Sequence, residues 1–424
     1  MKILSFSRDA NPEYIGGIET FQRNLYKIFG KDIGFLTLKG NREKLFKIDN
    51  ITEIDFKKNN IVKLLLKIIS KSRYLHYFIK KYIKKNNIEI LILNSPNDIR
   101  KNYKLNCKKI LIQHNNWDYY QKKVFEKQLT FPKIIRNYID CYIFLSKYDQ
   151  ERFVKELQLD INKTKVIRHC CELELLEKNK IKNKKLIIIA RLENKQKRID
   201  LAIKAMKKLP DFTLDIYGSG LDEEILKQMV IDEKLEERIF FRGATNKVKE
   251  KLDEASIFIM TSDHEGYGIT NIEAMMRGLP IILRNTFESA PDIVQNNGIL
   301  LDKEWDEDKF VEAVYKIYEN YDYYSKNAIE MGKRHTFEVI KNEWVNFINK
   351  IAESREQRAE SREQRAESRE QRAESREQRA VNFNIFNSIY KIKKINIIEK
   401  KDNLLFIWKN GIMNYLFFKI MVYY

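Results

Sequence analysis

Two glutamates eight positions apart lie in the stretch IFIMTSDHEGYGITNIEAMMRGLPII. The apolar run that ends at Ser262 predicts a buried strand. Glu265 lies in the glycine-containing loop after that strand, and Glu273 is expected at the start of a helix that begins at about Asn271. One carboxylate can accept two hydrogen bonds from the vicinal hydroxyls of a ribose, and the other can face a sugar hydroxyl. The competing interpretation, two solvent-facing glutamates, fits poorly with their glycine and apolar neighbours.

A basic run, ARLENKQKRID, follows the apolar run KLIIIA and contains Arg191, Lys195, Lys197 and Arg198. If the apolar run is a strand, these side chains lie at its carboxyl end. Arg191 and one lysine could there neutralise a diphosphate. The alternative is that the run is a solvated surface.

Gly16 and Gly17 lie between the first apolar run and a helical pattern that opens at about Ile18. Paired glycines allow backbone N–H groups to approach a phosphate at a helix N-terminus, although such a pair is also an ordinary turn. The pair is not the three-glycine dinucleotide fingerprint. His114, in KKILIQHNNWDYY, follows a predicted strand and is either a cleft residue or a structural histidine.

The order of these segments predicts two doubly wound α/β domains. Continuous Ile, Leu and Val runs alternate with helical patterns, which is typical of parallel sheets covered on both faces. The pattern runs through residues 1–172, restarts through 173–335 and ends in a closing helix at 336–352. Ligands of open α/β sheets bind at the carboxyl ends of the strands, so the cleft between the two domains is the expected site.

These motifs together resemble the retaining glycosyltransferases of family 4, which have the two-domain GT-B fold and act in bacterial surface glycan and lipopolysaccharide synthesis. HEGYGITNIEAMMRGLPII is similar to that family's motif of two glutamates separated by seven residues. ARLENKQKRIDLAIKA is similar to its donor-phosphate motif, and IGGIETFQRNL to its Gly-Gly loop. The resemblance covers roughly residues 1–350.

The resemblance implies transfer of a sugar from a nucleotide-sugar donor, with retention at the anomeric carbon and no essential metal or other cofactor. It implies that Glu273 holds the ribose and that Glu265 and His114 face the transferred sugar. Arg191 and Lys197 would bind the diphosphate and stabilise it as leaving group. Gly16 and Gly17 are also implied to bind the donor. Lys197 is preferred to Lys195 because its spacing to Asp200 fits the family.

The chain departs from the family where KVIRHCCELE replaces the usual Pro-Asn-Gly before the second domain. The linker geometry is therefore expected to differ. The segment after Pro280 is short, and contacts to the donor base cannot be assigned from it.

The composition indicates which partners the protein binds and which cellular compartment it occupies. Lys plus Arg number 79 and Asp plus Glu 60, so the net charge is +19 and the partners are expected to be anionic. Four cysteines give no disulfide framework, and neither they nor the histidines have metal-ligand spacing, which indicates a reducing compartment. The N-terminus lacks the pattern of a secretory signal, and no apolar run reaches transmembrane length. A cytoplasmic protein is expected, peripheral at the inner face of a membrane.

A basic segment, residues 57–85, holds ten Lys and Arg and no acidic residue among Leu, Ile, Tyr and Phe. It is predicted to form an amphipathic helical region that can lie on anionic lipid. A surface helix packed on the sheet is the alternative, and both can hold together because the lysines remain outside. Nucleic-acid binding is a poorer explanation, since no recognised module is present.

The heptad ESREQRA occurs four times without deviation, over residues 353–380, which suggests recent slippage of a DNA repeat. Side chains three or four apart are like-charged, which disfavours an isolated helix and favours a solvated, partly disordered spacer. A helix would carry a Glu stripe and an Arg stripe on nearly opposite sides, and two such helices could pair. The tail, 381–424, is basic near Lys391 and then apolar and aromatic, and either lies in the headgroup zone or packs on the protein.

These observations predict a membrane-peripheral hexosyltransferase that extends a glycan or glycolipid. One alternative is a nucleotide-sugar epimerase on a similar scaffold. The other is a catalytically degenerate transferase that serves as a membrane-attached assembly partner through its heptads.

Overall fold

The computed structural model describes residues 2–14, 16–56, 70–99, 104–127, 130–177 and 182–398. Within its last helix it describes only the backbone of residues 354–363, 366 and 391–398. Residues Met1–Ile348 form one compact unit that contains both sheets, and a second unit follows from Asn349.

The first sheet has seven parallel strands in the order β3-β2-β1-β4-β5-β6-β7. Their bounds are β1 Ile3–Ser7, β2 Ile33–Leu38, β3 Ile51–Ile54, β4 Ile90–Leu93, β5 Lys108–Ile112, β6 Cys141–Phe144 and β7 Thr164–Val166. Most of these strands are buried apolar runs, because helices cover both faces of the sheet. Phe6 pairs with Leu36 on one side and Leu93 on the other, so the carboxyl ends of the central strands meet at one edge.

The second sheet has six parallel strands in the order β10-β9-β8-β11-β12-β13. Their bounds are β8 Lys185–Ile189, β9 Thr213–Tyr217, β10 Ile239–Gly243, β11 Ile257–Met260, β12 Ile281–Arg284 and β13 Gly298–Leu301. In both sheets the strand order reverses direction beside the first strand of the domain, β1 or β8. That reversal opens a crevice at the carboxyl edge, where ligands of doubly wound sheets bind.

Helices of the first domain are α1 Gly17–Phe29, α2 Lys71–Asn86, α3 Pro96–Ile99, α4 Trp117–Tyr120, α5 Phe131–Tyr138 and α6 Lys147–Leu157. Those of the second are α7 Asn194–Lys197, α8 Ile199–Ala205, α9 Glu223–Asp232, α10 Val248–Glu254, α11 Ile269–Met276, α12 Ala290–Ile293, α13 Glu307–Glu319 and α14 Tyr321–Lys333. The last helix, α15, is Phe337–Ile398.

The beginning of α15 returns to the first domain. Trp344 is buried and packs its ring against Phe21 and Phe29 of α1, with ring centroids 6.0 and 6.5 Å apart. The expected closing helix therefore exists, but it does not end near residue 352. It continues through the ESREQRA repeats, where every described side chain from 367 to 390 is exposed.

Helix α2 contains the described part of the basic segment. Leu75, Ile79 and Ile83 are buried one turn apart, and they pack in the core of the first domain. The lysines at 80, 81, 84 and 85 are exposed. Packing and an exposed basic surface thus occur on the same helix, as the sequence allowed. Residues 57–69 lie outside the described residues.

Candidate functional site

The centre of the site is the loop from Thr261 to Gly268, called here the β11–α11 loop. Its Glu265 Oε1 lies 2.5 Å from Lys197 Nζ, and both side chains are nearly nine-tenths buried. Thr261 Oγ1 donates to the backbone carbonyl of Lys197 at 3.0 Å, which holds the lysine beside the loop. The structure therefore brings together two of the predicted residues, as a short ion pair at the carboxyl edge of the second sheet.

Backbone geometry at Arg198 explains why Lys197 points to this loop. Helix α7 ends because Arg198 adopts φ 49°, the left-handed region. Its guanidinium is held by Asp200 at 3.0 Å and by Asp263 at 3.5 Å. The charge of Arg198 is thus matched by carboxylates on α8 and on the β11–α11 loop, while that of Lys197 is directed at Glu265.

Two other basic residues of the same run lie apart from this pair. Lys195 is exposed. Arg191 is also exposed, and it forms an ion pair with its neighbour Glu193 at 2.9 Å. The structure therefore does not join Arg191 to the Lys197–Glu265 pair.

Glycines after β9 allow close packing against the segment that carries Arg191. A Cβ on Gly218 would lie 1.8 Å from the carbonyl oxygen of Ala190, and one on Gly220 would lie 2.4 Å from that of Leu192. Only glycine fits at either place, because the obstacle is backbone. Sequence reasoning missed both residues, although the GSG triplet directly after a predicted strand was a usable signal.

Glu273 lies in the middle of α11 rather than at its start, because the helix begins at Ile269, two residues earlier than expected. Gly268, with φ 76°, turns the chain into that helix. Burial, and secondly the negative charge of Glu172, raise the pKa of Glu273 to about 7. No described side chain forms a hydrogen bond or an ion pair with its carboxylate. Glu273 is thus a poorly solvated acceptor that lacks a partner within the described residues.

His114 brings the first domain to the site. It is buried two residues after the end of β5, its Nε2 lies 3.2 Å from Asn94 Oδ1, and its ring stacks on that of His169 with the centroids 5.7 Å apart. Burial, and secondly the neighbouring His169, lower the pKa of His114 well below its usual range, so the ring is neutral. A Cβ on Gly266 would lie 1.9 Å from the His114 carbonyl oxygen. The β11–α11 loop therefore rests directly on the backbone of the first domain.

The Gly-Gly loop also reaches the second domain. A Cβ on Gly17 would lie 3.7 Å from Ile269, the first residue of α11. A phosphate site at Gly16 would require open space beside this glycine, and that space is filled. The Glu19 carboxylate occupies it and forms an ion pair with Arg42. A carboxylate of the chain itself thus lies at the N-terminus of α1, and only Gly17 faces the other domain.

The linker between the domains is tied to α12 by an ion pair that the sequence did not reveal. Arg168, in the unusual KVIRHCCELE segment, donates to both oxygens of Asp292 at 2.8 and 3.0 Å. Tyr267, next to Gly266, donates to the same carboxylate at 2.9 Å. The bidentate pair fixes the linker relative to α12.

Among the residues that the structure describes, no group of three or more His, Cys, Asp or Glu could hold a metal ion. No helix in this part of the chain is long and apolar enough to cross a membrane.

The architecture defines a class of protein. Two doubly wound sheets in series, with their site at the carboxyl edges, form the GT-B type of fold. The Anabaena protein Alr3699/HepE, solved in complex with UDP, superimposes with a TM-score of 0.69 over 82% of this chain and 100% of its own, at 15% sequence identity. At that identity the likeness shows the fold alone.

The family model described as "Glycosyl transferases group 1" matches residues 173–335, the part of the chain with the second sheet and the Lys197–Glu265 pair. This part is a glycosyltransferase group 1 domain. The poly(glycerol-phosphate) alpha-glucosyltransferase of Bacillus subtilis is 28% identical over 183 residues, which are 41% of this chain and 27% of that protein. The poly(ribitol-phosphate) alpha-N-acetylglucosaminyltransferase of Staphylococcus aureus is 24% identical over 289 residues, 64% of this chain. The chain spans 58% of that second relative, so it covers less than two thirds of either one.

Proposed function

We propose that this chain is a retaining glycosyltransferase that transfers a sugar from a nucleotide-sugar donor to a glycan or glycolipid. The observation that carries the proposal is the ion pair between Lys197 and Glu265, buried at the carboxyl edge of the second sheet. A largely buried lysine can bind a diphosphate, and a carboxylate beside it can turn to a sugar hydroxyl. Donor binding then exchanges one anionic partner of Lys197 for another.

Cleavage of the bond between the anomeric carbon and the diphosphate leaves negative charge on the diphosphate oxygen. In this proposal Lys197 stabilises that charge. Gly268 has no side chain that could cap α11, so the backbone N–H groups at the N-terminus of this helix are available to donate to the diphosphate. The partial positive charge of the helix N-terminus favours the diphosphate in the same way. Arg191 is drawn from Glu193 towards the diphosphate in this proposal. Its exposure leaves it free to move.

The remaining residues position the donor. Glu273, without a partner among the described residues, accepts hydrogen bonds from the two ribose hydroxyls. Neutral His114 and the backbone at Gly17 contact the transferred sugar from the first domain. Gly16 contributes only the shape of the turn, because Glu19 occupies its anion-binding position.

The acceptor is proposed to be an anionic surface glycan or glycolipid, such as a lipopolysaccharide precursor. Two relatives are named for poly(glycerol-phosphate) and poly(ribitol-phosphate), which are polyanions. The net charge of +19 suits such an acceptor, since a basic surface concentrates polyanions near the cleft.

A panel of nucleotide sugars, incubated with the protein and a polyol-phosphate acceptor, tests the proposal. Transfer with the donor's anomeric configuration, read by NMR of the product, supports it. An inverted product would overturn the retaining assignment. Conversion of the donor to its epimer would favour the epimerase. Donor binding without turnover would favour the degenerate assembly partner.

We further propose attachment to the anionic cytoplasmic face of a membrane through the exposed lysines of α2. Each contributes about 1 kcal/mol to lipid binding at low salt. Charge reversal at 80, 81, 84 and 85 should release the protein from vesicles containing anionic lipid and leave its melting temperature unchanged. If the variant stays bound, attachment would instead pass to the tail, of which residues 399–424 lie outside the described residues.

Self-association through residues 353–380 is the last element of the proposal. Side chains described between 367 and 390 are exposed, so the Glu and Arg stripes are open to a second copy of the helix. Pairing of opposite charges predicts a dimer that is lost as salt rises, because exposed charges are screened within about 10 Å at 0.1 M. Unchanged sedimentation after deletion of the repeats would refute it.

A further inference from the structure

A second contact between the domains lies beside the β11–α11 loop. Ser289, fully buried just before α12, places its hydroxyl between two acceptors. One is the carboxyl oxygen Oδ2 of Asp149, in the first turn of α6 in the other domain, and the second is the carbonyl of Gly266 at 2.9 Å. Asp149 is also fully buried, and it receives hydrogen bonds from Ser146 at 2.6 Å and from Gln113 at 3.5 Å.

A count of hydrogens shows that these contacts depend on one proton. The Ser289 hydroxyl has a single hydrogen and can serve only one acceptor fully. If Asp149 is ionised, Ser289 donates to it, and the Gly266 carbonyl, which no other described group contacts by a hydrogen bond, is left unpaired. If Asp149 is protonated on Oδ2, that hydrogen can be donated to Ser289, because the other neighbour of Oδ2, Ser146 Oγ, already accepts from the Asp149 amide and donates to Oδ2. The hydroxyl hydrogen of Ser289 then goes to Gly266. Only the protonated form makes an unbroken chain from α6 to the loop.

We propose that Asp149 and Ser289 are positioning residues, which hold the β11–α11 loop against the first domain when Asp149 carries its proton. Gly266 is the point at which this loop rests on the His114 backbone, and Glu265 precedes it directly. Anchoring the Gly266 carbonyl therefore fixes the position of Glu265 relative to His114. The catalytic part of this inference rests on the proposed function, whereas the anchoring itself does not.

The surroundings of Asp149 favour the protonated form near neutral pH. Burial raises the pKa of Asp149 to about 7, against the lowering effect of its hydroxyl partners. The charged group that faces it from the second domain is Glu288, which raises the value further. Glu288 itself is flanked by Asp118 and by Arg152 of α6. His114, on the strand side, is neutral. The chain of hydrogen bonds should hence be complete below about pH 7 and broken above it.

Hydrogen exchange of the backbone amides of residues 263–268 in the full chain, expressed as protection factors, measures the anchoring directly. From about pH 6 to about pH 8.5 the wild-type protection should fall roughly fivefold to tenfold, the factor that one net hydrogen bond makes in an equilibrium. Asp149→Asn always has an N–H to donate to Ser289, so its protection should stay high across this range. Ser289→Ala should be poorly protected at both pH values, and Ser289→Thr should restore the wild-type profile.

Ser325→Ala is the matched control. Ser325 is an equally buried serine that donates to the Gly278 carbonyl at 2.8 Å, but within the second domain. It should leave the protection of residues 263–268 unchanged. A pH-independent wild type, or full protection in Ser289→Ala, would overturn the inference. The pH profile of kcat/KM should follow the protection factors if the chain is a transferase. If no donor is turned over, the proposed function fails while the exchange data still decide the anchoring.

Discussion

Replacing Glu273 by glutamine should make the unliganded protein more stable and the donor complex weaker. Burial keeps the pKa of this carboxyl at about 7 in the folded chain, against about 4.5 when it is solvated. Below about pH 4.5 the group is protonated in both states and has no effect. Between the two values the unfolded chain ionises first, and stability falls as pH rises. Above about pH 7 the full penalty applies, about 3.5 kcal/mol at about 1.4 kcal/mol per pKa unit.

Urea unfolding, followed by tryptophan fluorescence, measures this difference. The free energy of unfolding of Glu273→Gln should exceed that of the wild type by about 3.5 kcal/mol at about pH 8.5 and match it at about pH 4. Glu312→Gln, an exposed glutamate on α13, is the control and should change neither value. Equal stability of Glu273→Gln and wild type at both pH values would refute the argument.

The same substitution separates stability from binding. A neutral acceptor binds the ribose hydroxyls less tightly than a carboxylate, so calorimetry should show a nucleoside diphosphate bound roughly fivefold to tenfold more weakly. Wild-type affinity should also increase as pH approaches about 7, because binding favours the ionised carboxylate, and the glutamine variant should lack that dependence. Equal affinity in the two proteins would remove Glu273 from the donor site.

Three further predictions concern other contacts. Lys197→Ala should lower the transfer rate by about 10²-fold or more, whereas Lys195→Ala, which removes an exposed lysine, should be nearly silent in steady-state kinetics; equal losses would mean that the wrong lysine has been assigned. Gly266→Ala would place a methyl group 1.9 Å from the His114 carbonyl oxygen, so the backbone must shift, and both Tm and kcat/KM should fall, the latter by about 10²-fold; wild-type Tm and activity would contradict the observed contact. Trp344→Ala should reduce the free energy of unfolding by about 3–5 kcal/mol, while the exposed Val339→Ala should not; a small effect would show that α15 is not needed by the first domain.

The central strands of both sheets could be predicted because most of them are apolar runs between turn residues. The edge strands β3 (ITEI) and β7 (TKV) contain polar residues at their partly exposed positions, and they do not show this pattern. Lys197 follows β8 and Glu265 follows β11. Because β8 and β11 are parallel, both residues lie at the same edge of the second sheet, which the sequence predicted. Helix starts were displaced by up to two residues, since Gly268 sets the first turn of α11 through a positive φ that sequence pattern does not specify.

Contacts between distant polar groups could not be predicted. Arg168 and Asp292 are 124 positions apart, and Asp149 and Ser289 are 140 apart. Which carboxylate meets which partner depends on how the two domains pack, and residue type alone does not determine that. Glu19 beside Gly16 was missed for a related reason. Its partner Arg42 lies beyond β2, and only the folded connection brings the two together.

Because α15 continues without a break through the repeats, its length depends directly on the number of ESREQRA units. Each ESREQRA unit adds about 10.5 Å of helix, and the four units span about 42 Å. Seven residues make almost two turns, so adding or losing one unit rotates the following residues by only about 20°. Copy number can therefore change by slippage and alter the reach of this helix in equal steps. The helical residues that follow the repeats would keep nearly the same orientation about the helix axis after one unit is added or lost.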